Sequence, residues 1–350
     1  MKYLIKLKPM GPYMFGGETT FGEGTKANYF ARTNLLPQTS ALLGVVRYEI
    51  LRQNNLLNAT TKVLKEEAKK LIGNQGFSLE VSLRGDNPIE YGIIKKLSPL
   101  FIADEHADNK VPVYYTPMPL DEGITVAWDK ANTYRSGITK TTVPIFGNYS
   151  AKDYVNFLQW INREKQILSE VLTKRYEEEG NSFQQVYIKT EQIGITKEKR
   201  EGNEKDAFFK QELISLHKDL SFVFTLETSQ EIAEGESFVY MGANRSMFRM
   251  SIQANDWDFV GYFQPLQKDG RVLLLSDAYT PESLWTEADF IWGTSIPMRN
   301  IIRKIETGMN WKKPTKSSLY NLLPRGSVIY GKTDSLNIPQ LRNVGLNIYL

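Results

Sequence analysis

Hydrophobic and polar residues alternate at the start of the chain, in the segment YLIKLKPM, which predicts a first β-strand that ends near Pro9. Further on, apolar residues recur at the spacing of one helical face, at Leu42, Leu43, Val46 and Ile50. This spacing predicts a helix over residues 40–52. Arg47 falls outside the apolar stripe, so we expect its side chain on the flank of that helix.

Two further segments have the apolar spacing of a helix. The segment TKVLKEEAKKLIG predicts a helix that is capped by Thr60 or Thr61 and ends at Gly73. The segment SAKDYVNFLQWINREKQILSEVLTKRYEEEG has the clearest helical pattern, with a capping box at Ser150 and Asp153. Its apolar residues share one face: Tyr154, Phe157, Leu158, Ile161 and Leu168.

Elsewhere the pattern is typical of strands. Residues 77–147 consist of short β-prone pieces separated by prolines, and no helix is predicted there. The charged segment TKEKREGNEKD is interpreted as a loop tip. Strands are predicted beyond it at LSFVFTLET, ESFVYMGANRSMFRMSIQ, DFVGYFQPL, RVLLLSDAY, PRGSVIYG and GLNIYL. Helices and strands mix without βαβ regularity, so the predicted fold class is α+β.

Composition restricts the cellular location and the kinds of metal or cofactor site that we expect. The chain has 350 residues, enough for two domains, and a hydrophobic content of 41% excludes a disordered protein. No apolar run is long enough to span a membrane, and the charged start MKYLIKLKPM does not resemble a signal peptide. With no cysteine and only two histidines, the chain offers no basis for a thiolate or histidine-rich metal centre. We therefore expect a cytoplasmic protein with no membrane contact, metal or cofactor.

The segment FGGETTFGEGTKANYF is rich in glycine and follows the first predicted strand. Gly17 and Gly22 have the gap of a Walker phosphate loop, but Glu23 and Gly24 stand where that loop needs a lysine and a hydroxyl. A carboxylate there would repel a triphosphate, and the dinucleotide fingerprint is not matched either. Two interpretations remain: a loop whose backbone N–H groups approach another anion, or a plain turn between strands.

Charge is unevenly distributed along the chain. The net charge is +3, but residues 291–350 carry +7 and the first 290 residues carry −4. Only Glu306 and Asp334 oppose the basic residues of the last sixty, which are Arg299, Arg303, Lys304, Lys312, Lys313, Lys316, Arg325, Lys332 and Arg342. This asymmetry favours a polyanionic partner, and a solvated basic surface is the alternative.

Two basic elements coincide with predicted strands. In MGANRSMFRM, Arg245, Met247 and Arg249 share one face of a strand, a layout that suits a phosphate backbone. An edge strand with solvated arginines is the alternative. In LLPRGSVIYGK, Arg325 and Lys332 lie on either side of a short β-prone run.

Evidence for catalysis is almost absent from the sequence. No serine-hydrolase or zinc-protease motif occurs, and Asp256 and Asp258 are predicted to lie on the surface. One acidic group with a histidine is interpreted as a solvated loop instead of a metal site: Asp104, Glu105, His106 and Asp108. His217 follows apolar residues and is predicted to be a packed histidine.

Several motifs together resemble a known family. They are the FGGE turn, the helix start LPQTSALLG-x-x-R, TEQIGI, DAFFKQELISL, MGANRSMFRM, and the closing RGSVIYG and VGLNIYL, and they recur in this order from end to end. The sequence thus resembles the third Cmr subunit of type III-B CRISPR effector complexes, a Cas-five-type member of the RAMP superfamily. Ala243 departs from the family's second glycine-rich turn.

The resemblance implies two ferredoxin-like (RRM-type) domains around an RNA groove, here 1–205 with insertions and 206–350. It implies a subunit that binds the 5′ handle of the CRISPR RNA, docks on the large polymerase-like signature subunit and contacts neighbouring backbone RAMP subunits. A β-hairpin thumb would reach the target RNA near the first guide pairs. The family member is not a nuclease. A CRISPR RNA-processing endoribonuclease of the RAMP family and a purely structural assembly subunit are the alternatives.

The candidate RNA-binding residues combine the glycine turn with the basic positions: Gly16, Gly17, Arg32, Arg47, Arg245, Arg249, Arg325 and Lys332. Arg47 carries a specific hypothesis, since the helix over 40–52 starts near the glycine loop and its N-terminus favours anions. Either Arg47 binds a handle phosphate, or it pairs with Glu18 or Glu23 and fixes the loop.

Overall fold

The computed structural model describes residues 1–16, 30–57, 65–84, 89–106, 108–129, 143–147, 158–177, 185–198, 205–242, 244–299, 301–302 and 315–350. Within these ranges the helices are α1 (Thr39–Gln53), α2 (Glu66–Ile72), α3 (Leu79–Arg84), α4 (Leu168–Glu177), α5 (Phe259–Phe263), α6 (Leu284–Glu287) and α7 (Pro339–Arg342). Two short 3-10 turns lie at Gln264–Leu266 and Asp334–Leu336.

The strands of the first half are β1 (Lys2–Pro9), β2 (Phe15–Gly16), β3 (Phe30–Ala31), β4 (Thr33–Asn34), β5 (Ile94–Leu97), β6 (Phe101–Asp104), β7 (Val113–Pro117), β8 (Thr125–Asp129), β9 (Val143–Gly147), β10 (Trp160–Ile161) and β11 (Tyr187–Glu198). Those of the second half are β12 (Lys205–Leu216), β13 (Leu220–Thr228), β14 (Gly235–Met241), β15 (Ser246–Ala254), β16 (Arg271–Leu273), β17 (Ala278–Tyr279), β18 (Ala288–Trp292), β19 (Ile296–Met298), β20 (Ile301–Ile302), β21 (Thr315–Lys316), β22 (Tyr320–Leu323) and β23 (Val328–Gly331).

The largest sheet has eight strands in the order β10-β7-β6-β13-β1-β15-β14, with β5 also paired to β13. Its strand pairs are antiparallel, and β1 lies near the middle, with Ile5 opposite Phe224 on one side and Ile252 on the other. Strand β14 forms one edge of this sheet. These features confirm the predicted α+β class with mostly antiparallel pairing.

Each face of the main sheet borders a different core, because successive side chains of a strand point to opposite faces. Ile5 and Leu7 of β1 belong to the core that also contains the buried α1 residues Leu42 and Val46. Leu4, on the opposite face, belongs to a second core with residues of α5 and β16. The main sheet therefore lies between α1 and the C-terminal part of the chain.

The predicted domain boundary at residue 205 stays a prediction, but strands from both sides of it form the main sheet. Strands β13, β14 and β15, which follow that residue, join β1 in the main sheet. Two smaller sheets, in the orders β16-β23-β18 and β17-β22-β19, are built from residues 271–331. Beyond β15, the described strands therefore form sheets separate from the main one.

The long helix predicted from the segment SAKDYVNFLQWINREKQILSEVLTKRYEEEG is confirmed at Leu168–Glu177 and wrong at residues 158–167. Residues 160–161 form β10, which pairs with β7, and α4 begins only at Leu168. Between them Asn162 accepts a hydrogen bond from the Gln166 N–H at 2.8 Å, and Lys165 has a left-handed φ of 63°. Burial of Trp160 in the sheet outweighs the helical spacing. The capping box at 150 and 153, and the apolar residues at 154 and 157, lie outside the described residues.

Three smaller differences follow from local hydrogen bonding. The predicted strand DFVGYFQPL contains α5, because the Asp258 carboxylate accepts a bond from the Val260 N–H and caps that helix. Helix α3 lies in a region predicted to have none. The flanks of the predicted loop tip TKEKREGNEKD belong to β11 and β12. Gly73 ends α2 as predicted, whereas the proposed caps at 60 and 61 lie outside the described residues.

Strands β11 and β12 form the longest hairpin of the described chain. All twelve residues of each strand pair with the other, which gives a ladder about 40 Å long. The inner half of the hairpin is attached to the body: β12 pairs in parallel with β3 at Lys210 and Gln211, midway along the strand, and Ile214 forms a bridge with Tyr13. None of the helices in the described part of the chain has both the length and the apolar character that crossing a membrane requires.

Candidate nucleic-acid interface

The turn at Gly242 contacts the residues that lead into the glycine-rich segment. Gly242, in the turn between β14 and β15, has a left-handed φ of 86°. A Cβ atom at this position would lie well inside 3.0 Å of the Met14 main-chain oxygen, closer than real Cβ atoms come. Next to this contact, the rings of Phe15 and Phe248 stack with centroids 6.1 Å apart. Gly16, where the glycine-rich segment begins, is exposed beside this turn, and Gly17 lies outside the described residues.

Arg32 lies two residues after the end of the glycine-rich segment. Strand β2 pairs with β4, so that Gly16 is opposite Thr33, and the Phe15 N–H donates to the Thr33 hydroxyl at 2.9 Å. Arg32 is exposed next to that pair, and its guanidinium carbon lies 5.7 Å from the centre of the Phe30 ring. The start and the return of the segment are therefore fixed side by side.

Lys210 is a basic residue that sequence reasoning missed. It lies on β12 opposite Phe30, and its Nζ is 5.1 Å from the centre of the same ring that Arg32 contacts. Lys210 Nζ also pairs with Glu191 Oε2 of β11 at 2.5 Å. The parallel pairing of β12 with β3 joins residues far apart in sequence, so no local pattern could have indicated this neighbour.

The predicted common face of Met247 and Arg249 is confirmed. Both side chains are exposed on β15, whereas Phe248 between them is buried in the core. Arg245 is exposed too, but it lies in the preceding turn with a left-handed φ of 51° instead of on the strand. Arg249 Nη1 is 3.9 Å from Glu236 Oε2, at the limit of an ion pair between two exposed side chains, so its guanidinium stays accessible.

Arg245, Arg249 and Lys8 form a row of basic side chains, the basic row. Lys8 lies on β1, directly opposite Arg249. Lys6, two residues earlier on the same face, pairs with Glu105 at 2.6 Å. Burial would raise the pKa of Glu105, but the hydrogen bonds from Lys6 and Ser221 outweigh it and the net pKa is lowered. The Glu105 carboxylate is thus already compensated by Lys6. The signal in the sequence was the alternation of lysines in YLIKLKPM.

Arg325 is not at the surface of this interface. Its side chain is buried and binds Asp277 through two hydrogen bonds, Nε to Oδ1 at 3.0 Å and Nη2 to Oδ2 at 2.9 Å. Burial would raise the pKa of Asp277, but the charge and hydrogen bonds of Arg325 outweigh it and lower that pKa below its ordinary value. The candidate assignment of Arg325 to RNA is therefore corrected: the guanidinium is used to compensate a partly buried carboxylate.

Arg47 contacts residues that follow α2 in the chain. Its Nη2 donates to the Gln75 carbonyl at 2.6 Å, and its guanidinium carbon lies 5.1 Å from the centre of the Tyr91 ring. Burial lowers the pKa of the Arg47 guanidinium. Glu18 and Glu23 lie outside the described residues, so their proposed pairing with Arg47 stays a prediction, as does a bond from Arg47 to a handle phosphate. In the described fold, Arg47 joins α1 to the segment that follows α2.

The remaining basic residues of the last sixty are dispersed. Lys332 is exposed directly after β23, in a sheet separate from β14 and β15. The guanidinium carbon of Arg342 lies 5.0 Å from the centre of the Tyr349 ring. The positions at 303, 304, 312 and 313 lie outside the described residues. The described part of this basic segment thus does not form one continuous surface with Arg249.

A cavity of about 310 Å³ lies between the start of α1 and the C-terminal part. Asn34, adjacent to the β2–β4 pair, lines one side, and Leu322 and Met298 line another. The Asp277–Arg325 ion pair forms part of its wall. The buried arginine therefore stabilises the wall of a cavity that begins next to the glycine turns.

The acidic and histidine side chains considered in the sequence have structural partners. Asp104 is buried and binds Arg175 Nη2 at 2.7 Å, and His106 Nδ1 lies 3.4 Å from Asp108. His217 is buried against Tyr176 as predicted. In the part of the chain that the structure describes, no group of three or more metal-ligating side chains forms a metal site.

Comparison with known proteins identifies the family. The model of a family described as "CRISPR-associated protein (Cas_Cmr3)" matches residues 5–345. No curated protein matches the chain in sequence. Among solved structures, a chain of the Type III-B Cmr-beta complex bound to cognate target RNA is 12% identical, with a TM-score of 0.50 over 100% of this chain and 96% of that one. A chain of the same complex with target RNA and AMPPnP is 14% identical, with a TM-score of 0.51 and the same coverage. These similarities to solved structures concern the fold.

Proposed function

Because the chain belongs to the Cas_Cmr3 family of CRISPR-associated proteins, we propose that it is a non-catalytic RNA-binding subunit of a type III-B (Cmr) interference complex. In this proposal it binds the 5′ handle of the CRISPR RNA and docks on the large signature subunit in antiviral defence. Two ferredoxin-like units around the RNA are the finer architecture that the family resemblance implies.

The observation that supports RNA binding most strongly is the convergence of two glycine turns and a set of basic side chains at one end of the main sheet. Gly242 packs on the Met14 backbone, Gly16 is exposed beside it, and Arg32 lies at the return of the same segment. Arg249 and Lys8 continue the basic row across two strands. Exposed backbone at glycine turns and forked guanidinium groups are the usual means of binding phosphates without a Walker lysine.

The long hairpin of β11 and β12 is our candidate for the thumb. The ladder is about 40 Å long, and its inner half is attached to the body, since β12 pairs with β3 midway along its length. It can therefore project from the handle site towards the first guide–target pairs and the neighbouring backbone subunits. Because Lys210 lies where the hairpin leaves the body, the thumb would start beside Arg32, which contacts the same Phe30 ring.

The non-catalytic assignment rests on the environments of the candidate acids and bases. His217 is packed beside Tyr176, and Asp104 is compensated by Arg175. A general base must reach a substrate proton, and neither of these groups is exposed to one. The acidic side chains nearest the basic row, Glu105 and Glu236, are bound or adjacent to a cation.

Photo-crosslinking of the full chain to a handle-sequence RNA tests this function. We expect crosslinked peptides from residues 8–16, 30–34 and 245–249, and no cleavage of the RNA with or without divalent metal. Crosslinks confined to other surfaces would contradict the site. Metal-dependent cleavage that is abolished by Asp104→Asn or His106→Ala would support the endoribonuclease alternative.

A further inference from the structure

Two large rings are exposed side by side at the edge of the main sheet. Phe238 and Tyr240 are two residues apart on β14, so both point to the same face, and they are 54% and 59% exposed. Val239 and Met241, which point to the other face, are buried in the core. The fold gains little burial from the two rings, and exposed apolar side chains that cluster in this way mark binding surfaces.

The residues opposite these rings form two short rows across the sheet. Phe238 lies directly opposite Arg249, and Lys8 continues that row on β1. Tyr240 lies directly opposite Met247, which is 40% exposed. Side chains that face each other in an antiparallel pair have Cβ atoms about 5 Å apart, so each ring has a basic or a flexible apolar neighbour within reach.

We propose that Phe238 and Tyr240 each stack on one base of a single-stranded RNA, while Arg249 and Lys8 bind the phosphates between or beside these bases. The inference deepens the proposed function and rests on it. Unpaired bases stack on exposed aromatic side chains irrespective of sequence, and cations nearby bind the backbone. The two rings are separated by about 7 Å along the strand, which allows neighbouring nucleotides of an extended strand to use both.

Charge favours RNA over a protein on this face. Lys8 and Arg249 lie in the row itself, and Arg245 is exposed in the adjoining turn. Glu236 is the acidic residue on the same face of β14, and Glu105 is bound by Lys6. A strongly negative strand of nucleotides matches this surface, whereas a protein partner would need an acidic segment with apolar side chains at the same spacing. Because β14 is an edge strand, such a protein strand is the competing outcome.

Two probes distinguish stacking from phosphate binding: a single-stranded oligoribonucleotide and an abasic ribose-phosphate oligomer of the same length. Measured by fluorescence anisotropy on the full chain, Phe238→Ala and Tyr240→Ala are each expected to weaken binding of the oligoribonucleotide about tenfold. Neither change should alter the salt dependence or the binding of the abasic oligomer. Phe238→Trp should keep the wild-type affinity. Trp285→Ala, which removes a ring exposed elsewhere on α6, is the matched control and should change nothing.

Three other outcomes would each contradict the stacking proposal, and each has a different interpretation. If the alanine variants bind the oligoribonucleotide as tightly as wild type does, stacking is refuted and the proposed function stands. If wild type binds neither oligomer, both proposals fail. If the variants keep RNA affinity but lose retention of a neighbouring complex subunit in co-purification, the rings form a protein-docking surface. Thermal melts of the variants exclude unfolding as the cause of lost binding.

Discussion

The α-carbon of Gly242 lies so close to the main-chain oxygen of Met14 that no side chain fits between them. This contact joins the turn before β15 to the strand that leads into the glycine-rich segment. It explains why Gly16 and Gly242, far apart in the sequence, lie close together. The interface therefore depends on a backbone contact as well as on its arginines.

Gly242→Ala is expected to lower the free energy of unfolding by about 1–3 kcal/mol, because alanine strains the left-handed φ and its Cβ meets the Met14 backbone. RNA affinity should fall in parallel, since Gly16 and Arg245 would no longer be held together. Gly270→Ala is the matched control: its φ of 71° is similar, but an added Cβ meets nothing within 4 Å. Equal losses of RNA affinity in the two variants would show that the Met14 contact does not organise the site.

Arg325→Ala should destabilise the protein by about 3 kcal/mol, because it leaves the Asp277 carboxylate uncompensated in a largely buried position. Urea unfolding measures this loss. Replacing both partners, with Arg325→Met and Asp277→Asn together, should recover a large part of it. RNA affinity, corrected for the fraction of the variant that is folded, should stay at the wild-type level. A stable Arg325→Ala protein with weak RNA binding would restore the arginine to the RNA interface.

Arg47→Ala is expected to lower stability by about 1–2 kcal/mol through loss of the Gln75 hydrogen bond and of the contact with the Tyr91 ring. RNA binding should not change. Arg249→Ala should have the opposite effects. The melting temperature should hardly change, because the Arg249 side chain is exposed, and RNA binding should weaken. A loss of RNA affinity at an unchanged melting temperature in Arg47→Ala would return that residue to the site.

Stability should depend on pH through His217. Burial lowers the pKa of His217, and the charge of Asp219 offsets this only in part. The folded protein therefore keeps the imidazole neutral at a pH where the unfolded chain, with a pKa near 6.5, already binds a proton. The stability contributed by the neutral imidazole is present above about pH 6.5 and is lost as the pH falls towards the lowered pKa.

His217→Gln should remove this dependence, since glutamine does not titrate and its side-chain oxygen can accept the Asp219 N–H bond that Nδ1 accepts at 3.3 Å. The measurement is the difference in free energy of unfolding between wild type and variant from pH 8 to pH 5. That difference should shrink or reverse below about pH 6.5. A difference that stays constant over this range would contradict a neutral His217 in the folded state.

Local patterns predicted the elements whose spacing agrees with their packing. Helix α1 and strands β1, β13 and β15 were found because their apolar positions face one core at a regular period. Trp160 and Ile161 were misassigned, because their spacing also fits a helix and only the pairing with β7 decides between the two. Periodicity reports which side chains are apolar, not which strand lies beside them.

The candidate site, too, was predicted only where a local sequence pattern determines the structure. The shared face of Met247 and Arg249 follows from the two-residue period of a strand and was predicted. The burial of Arg325 could not be predicted, because its partner Asp277 is 48 residues away and comes beside it only in the fold. The roles proposed for three further residues could not be predicted either, because each role depends on a neighbour on another strand: Phe238, Lys8 and Lys210.

The salt dependence of RNA binding tests the central claim most directly. For the full chain and a handle-sequence RNA, the slope of log K against log salt should become shallower by about 1.4 in the double variant Arg245→Ala with Arg249→Ala, since each phosphate contact to a single strand contributes about 0.7. Glu236→Gln, which removes the carboxylate 3.9 Å from Arg249, should strengthen binding and serves as the charge control. An unchanged slope in a double variant that melts like wild type would contradict an RNA-binding role for this end of the main sheet.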